Sequence, residues 1–150
     1  MKYWRPSLFI LSLTWVGCLD ASNGVLAYKD TLAPTVLSTN PASGAIIART
    51  ATISIIFSEA MDERTLGAGI QLSKAGTPVP LVLGVPPPEE LPQTSENQDL
   101  PYTVSASSAA GSFEPSIGSA LDYLLILNTL LTDQAGNALA AQIEIRFSVM

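Results

Sequence analysis

Two alternations of hydrophobic and polar residues carry most of the structural information in this chain. In Gln142 to Val149, the residues Ile143, Ile145, Phe147 and Val149 fall on one side and Glu144, Arg146 and Ser148 on the other. In Thr52 to Phe57, Ile53, Ile55 and Phe57 oppose Thr52, Ser54 and Ile56. A period of two marks a half-buried strand, because successive side chains of extended backbone point to opposite faces. Shorter runs at Thr35 to Thr39, Ile70 to Ser73, Val79 to Leu83, Tyr102 to Ala106 and Tyr123 to Leu127 are separated by turn residues such as Asn40-Pro41 and Ser43-Gly44. No segment of useful length keeps an apolar period of 3.6. The pattern predicts an all-β fold, an antiparallel β-sandwich of about seven short strands over residues 33–150. A single helical turn is expected at Asp62 to Leu66. There Asp62 can cap the amides of Arg64 or Thr65, and Met61 and Leu66 can form a hydrophobic staple.

The N-terminus follows a different pattern. Lys2 and Arg5 precede the apolar run Leu8 to Val16, which is too short to span a bilayer and reads as an export signal over residues 1–17. Trp15-Val16-Gly17-Cys18 resembles a bacterial lipobox, with Trp15 where an aliphatic residue is usual. That resemblance implies lipidation of Cys18, the only cysteine, and a membrane contact through the attached acyl chains. Cleavage after Ala27, or loss of Cys18 with the signal, are the alternatives. Leu19, rather than Asp, after the cysteine implies the outer membrane by analogy. Residues 18–32 lack any period, are punctuated by Ser, Asn, Gly and Asp, and read as a flexible tether.

Composition narrows the chemistry. The chain has 150 residues, 47% hydrophobic and 13% charged, enough for one core and too little charge for an acidic disordered chain. A net charge of -6 argues against nucleic acid as a partner. With no His, imidazole-dependent triads and HExxH zinc sites are excluded, and one Cys excludes an internal disulfide. The Ser-rich run Ser105 to Ser119 has no base to activate a hydroxyl, and the adjacent acids Glu89 and Glu90 lack the rigid cleft that glycosidase chemistry needs. The reading is a protein that is not an enzyme.

Several segments taken in order resemble the bacterial Ig-like domain of the S-layer (SbsA-like) type. They are Asp30 to Asn40 leading into Pro41, Phe57 to Leu66 (FSEAMDERTL), Phe113-Glu114-Pro115, Leu121-Asp122-Tyr123, Asp133 to Leu139 (DQAGNAL) and the final Arg146-Phe147-Ser148. The resemblance implies an Ig-like β-sandwich serving as a spacer, scaffold or binding module without catalysis. A non-catalytic cell-envelope lipoprotein is the resulting expectation, with another envelope protein or a second copy as partner. The segment Gly84 to Leu100 is longer than the family's usual connection and reads as a projecting loop.

Three features suggest sites. Tyr123 to Leu127 (YLLIL) is apolar on both faces, which makes Leu124 and Ile126 candidates for a protein contact unless loops or the tether cover them. Glu59, Asp62, Glu63, Asp133 and Asn137 are oxygen ligands of the kind Ca²⁺ takes. The competing reading gives Asp62 to the helix cap, Asp133 and Asn137 to the turn permitted by Gly136, and Glu59 and Glu63 to solvent; the lack of a dense Asp/Asn loop favours it, and no cofactor is expected. Tyr123 is a candidate tyrosine corner, its hydroxyl reaching back to an upstream backbone group. A small-ligand module for Ca²⁺ or carbohydrate is the second functional reading, although both tryptophans, Trp4 and Trp15, lie in the signal, leaving no indole platform for a sugar ring.

Overall fold

A computed structural model of the chain describes residues 30–85, 100–118 and 120–150. The proposed signal at 1–17, Cys18, most of the tether and all but the ends of the projecting loop fall outside these residues. Nine strands and one helix are present among the described residues: β1 (Val36–Asn40), β2 (Ile46–Ile47), β3 (Ile53–Phe57), α1 (Glu63–Gly69), β4 (Ile70–Lys74), β5 (Thr77–Pro78), β6 (Leu81–Gly84), β7 (Tyr102–Ser108), β8 (Tyr123–Leu127) and β9 (Ile143–Val149). They form two sheets, a four-stranded one ordered β1-β3-β7-β6 and a five-stranded one ordered β2-β9-β8-β4-β5. The seven strands of four residues or more are those the alternation predicts. The two-residue strands β2 and β5 have too little sequence to show a period.

The inner faces follow the pattern directly. Ile53, Ile55, Phe57, Leu125, Leu127 and Phe147 are each 0% exposed, and Ile145 is 4% exposed. These side chains meet between the sheets with Val104, Leu72 and Leu131. Burying one such side chain fully contributes roughly 1.5–3 kcal/mol, so the interior face of β3 alone is a large part of the stability.

Four expectations need correction. The sandwich is not wholly antiparallel, because β2 pairs with β9 in parallel, Ile46 opposite Ser148 and Ile47 opposite Val149. The helical turn is a seven-residue helix, Glu63–Gly69, which continues to the start of β4. Its end packs so closely that a Cβ at Gly69 would overlap the Leu131 side chain. Ser148, on the outward side of the β9 alternation, is buried at 2% exposure. Gly84, placed at the start of the loop, ends β6 and pairs with Ser105.

The sheet edges are short or irregular. Within β1 the register slips between Val36 and Ser38, so Leu37 is an extra residue relative to β3 and stands 55% exposed. Asp62 caps the helix by accepting from the Arg64 amide at 3.0 Å, and Met61 and Leu66 are both buried as the staple requires.

Candidate functional site

On the outer face of the five-stranded sheet, Leu124 and Ile126 are half-buried, each between a β4 residue and a β9 residue. Leu124 sits between Ser73 and Arg146, and Ile126 between Gln71 and Glu144. The two leucine-type side chains are thus a greasy stripe with polar neighbours on one flank and an acid and a base on the other. The same pair lines a groove of about 470 Å³ with Ile70, Leu72, Leu81 and Leu83, and among the described residues no ionisable side chain contributes to its wall. The groove runs between β4 of one sheet and β6 of the other, where the two layers part.

A second feature lies at the pole where β1 begins and β3 ends. Carboxylate oxygens of Asp30, Glu59 and Asp133 lie within 4.8 Å of one another, with Glu59 7% and Asp133 1% exposed. Glu59 arrives on the chain leaving β3, Asp133 on the connection before β9, and Asp30 from the segment leading to β1. Asp133 is already engaged: one oxygen accepts from the Asn137 amide at 2.8 Å and the other from Asn137 Nδ2 at 2.7 Å. Gly136, at φ 91°, makes the tight turn between them possible. Asn137 Nδ2 also reaches the Asp30 carbonyl at 3.3 Å.

Of the five oxygen-bearing candidates, the fold brings together Glu59, Asp133 and, through its bonds to Asp133, Asn137. Asp62 is held elsewhere, its carboxylate bonded to the Arg64 side chain and amide. The Arg64 side chain, and then its backbone N–H, lower the Asp62 pKa below the ordinary carboxylate range. Glu63 belongs to the first helical turn. Asp30 is the residue that sequence reasoning missed. It was assigned to the tether, yet it is half-buried against a turn more than a hundred positions away.

At the opposite pole the tyrosine corner is present. Tyr123 donates to the Glu114 carbonyl at 2.7 Å, nine residues upstream. Its ring stacks on Phe147, centroids 5.3 Å apart, and meets Phe113 edge-on at 5.9 Å. Lys74 lies 5.8 Å above the ring and bonds to Glu114 and to the Pro115 carbonyl. Burial raises the Tyr123 pKa. Ser116, which bonds to Asp122, also accepts from the Val149 amide at 2.9 Å and fastens the end of β9 to this corner. No helix among the described residues is long and apolar enough to cross a membrane.

The S-layer protein rSbsC, known from a crystal structure, is similar at a TM-score of 0.46 and 16% identity, over 78% of this chain and 14% of that one. The chain therefore spans only a small part of that protein's length. No curated protein matches the sequence. Residues 30–149, from the segment that carries Asp30 to the last residue of β9, match the bacterial Ig-like domain, and the chain belongs to that family.

Proposed function

We propose that this chain is an exported, non-catalytic Ig-like module of the bacterial envelope, held to the outer membrane by acyl chains on Cys18. In this reading it acts as a protein-interaction component. The observation that carries it is the uncharged groove with Leu124 and Ile126 on its wall. In a chain with net charge -6, a largely apolar cleft with no ionisable group among its described lining residues is suited to an apolar protein segment and poorly suited to an ionic ligand. A contact stable on its own needs about 800 Å² from each partner, so the surface around the groove would take part as well. The test is crosslinking in intact cells of the Leu124→Ser, Ile126→Ser double variant. Loss of crosslinked species with an unchanged melting temperature supports the reading, and crosslinks identical to those of the parent count against it. Mass spectrometry of the mature N-terminus tests the anchor independently: an acylated Cys18 is expected, whereas a chain beginning at Tyr28 removes it.

The carboxylate cluster favours a second reading, a Ca²⁺-binding module. Three acids drawn together at a buried site repel one another unless a proton or cation intervenes, and Ca²⁺ takes such oxygen donors. Asp30, Glu59 and Asp133 would hold the ion, with Asn137 keeping the Asp133 carboxylate in place. A melting temperature raised by Ca²⁺ and lowered again by EDTA is the expected result, because a ligand that binds only the folded state stabilises it; identical curves reject it.

A further inference from the structure

We propose that the outer face of the five-stranded sheet docks on the same face of a second copy of this chain, about a two-fold axis that lies in the contact plane and runs across the strands. The proposal rests on the protein-interaction reading and names its partner. Ladder register sets the pattern on this face. Two rows of side chains cross the sheet, one running Ser73, Leu124, Arg146 and the other Gln71, Ile126, Glu144. Each row carries a polar residue on β4, a large aliphatic on β8 and a charge on β9, and the two charges are opposite. The rows are two residues apart along each strand, about 7 Å.

A two-fold axis across the strands, midway between the rows, turns one row onto the other. Leu124 of one copy then faces Ile126 of the other, Ser73 faces Gln71 and Arg146 faces Glu144, each contact being made twice. The charges choose this axis. An axis along β8 sets Arg146 over Ser73 and Glu144 over Gln71 and pairs no charges, while one along β9 sets each charge on its own kind, which is costly. Net charge also favours a second copy at this face. Two chains of charge -6 repel at range, but the six side chains here include one Arg and one Glu and sum to zero. Within one chain Arg146 and Glu144 stand 3.9 Å apart and are 57% and 48% exposed, a pairing that contributes little in water. Between two sheets each gains a second partner, and the half-buried Leu124 and Ile126 lose their remaining water. Five strands at about 4.8 Å spacing and the length of β8 at about 3.4 Å per residue give a face of roughly 400 Å² in projection, so a monomer–dimer equilibrium at micromolar concentration is expected and not a permanent dimer.

The test is sedimentation equilibrium of the full chain in a Cys18→Ser background, which removes any acyl chain and any disulfide between copies. The parent is expected to dimerise with a micromolar dissociation constant. Glu144→Arg sets Arg against Arg twice per dimer and is expected to raise that constant at least about tenfold. Adding Arg146→Glu restores opposite charges in the same geometry and is expected to return it to within about threefold of the parent. Thermal melts establish that the variants are folded, and Arg146→Glu alone, which sets Glu against Glu, takes the place of Glu144→Arg if the latter melts early. A monomeric parent, a dimer indifferent to the single reversal, or an exchanged pair no tighter than the single reversal overturns the proposal. A monomeric parent leaves the wider reading to its own crosslinking test, so the two fail separately.

Discussion

Tyr102 opens β7 at the pole that carries the acidic cluster, and Tyr123 opens β8 at the opposite pole; each is 1% exposed. Their hydroxyls fare differently. That of Tyr123 donates to Glu114, while that of Tyr102 is buried with no hydrogen-bond partner among the described residues. Burial raises both pKa values. At Tyr123 the nearby Lys74 and the bond to Glu114 pull the value back, whereas at Tyr102 the charge of Glu63 adds to the rise and the hydroxyl reaches about 12. The two poles close the sandwich by different means. One uses stacked rings and a satisfied hydroxyl, the other a carboxylate bonded to an asparagine beside two further acids.

The contrast can be broken most severely at the aromatic pole. Phe147→Ala removes the ring under Tyr123 and leaves a cavity, and a loss of about 3–5 kcal/mol in urea unfolding is expected. At the acidic pole Asp133→Ala strips the Asn137 amide and side chain of their acceptors in a buried turn, for a loss of about 2 kcal/mol by the same measurement. Tyr123→Phe deletes a single hydrogen bond and is expected to cost about 1 kcal/mol. Tyr102→Phe deletes a hydroxyl that bonds to nothing, so stability is expected to stay level or rise by up to about 1 kcal/mol. This last variant also carries a pH signature. The folded-state pKa of Tyr102 lies above the ordinary value of 10, so the unfolded chain gives up this proton first, and the stability it protects is lost as pH climbs from 10 to about 12. Unfolding of parent and Tyr102→Phe compared across that range should show the parent losing stability more steeply.

How much of this was legible in the sequence depended on distance along the chain. The cores of β3 and β9 were readable because five to seven consecutive residues alternate. The helix cap was readable because Asp62, Arg64 and Leu66 sit within one turn of each other, and the Asp133–Asn137 pairing because its partners are four residues apart. Tyr123 was readable as a corner because it opens a strand and its hydroxyl needs to reach only a backbone group a few residues upstream, though not that the group is the Glu114 carbonyl. What escaped lies far apart or is too short. Asp30 reaches Asn137 across most of the domain; the family-like segment Asp30 to Asn40 includes it, but no local pattern shows that contact. The parallel placement of β2 rests on two isoleucines and a crossing between sheets, and the burial of Ser148 depends on neighbours that alternation cannot see. The groove beside Leu124 and Ile126 was half legible. The doubly apolar strand flagged it, but Leu81 and Leu83 on the other sheet became its wall only through the fold.

The slipped register of β1 has a consequence for life at high density. A sheet margin recruits a neighbouring molecule when its free backbone donors and acceptors form a long, straight row. Here one margin is kinked at Leu37, the opposite margin of that sheet has four residues, and both margins of the other sheet are two-residue strands. Copies packed side by side can touch through side chains, but among the described residues no margin offers a template long enough for strand-by-strand growth into fibres.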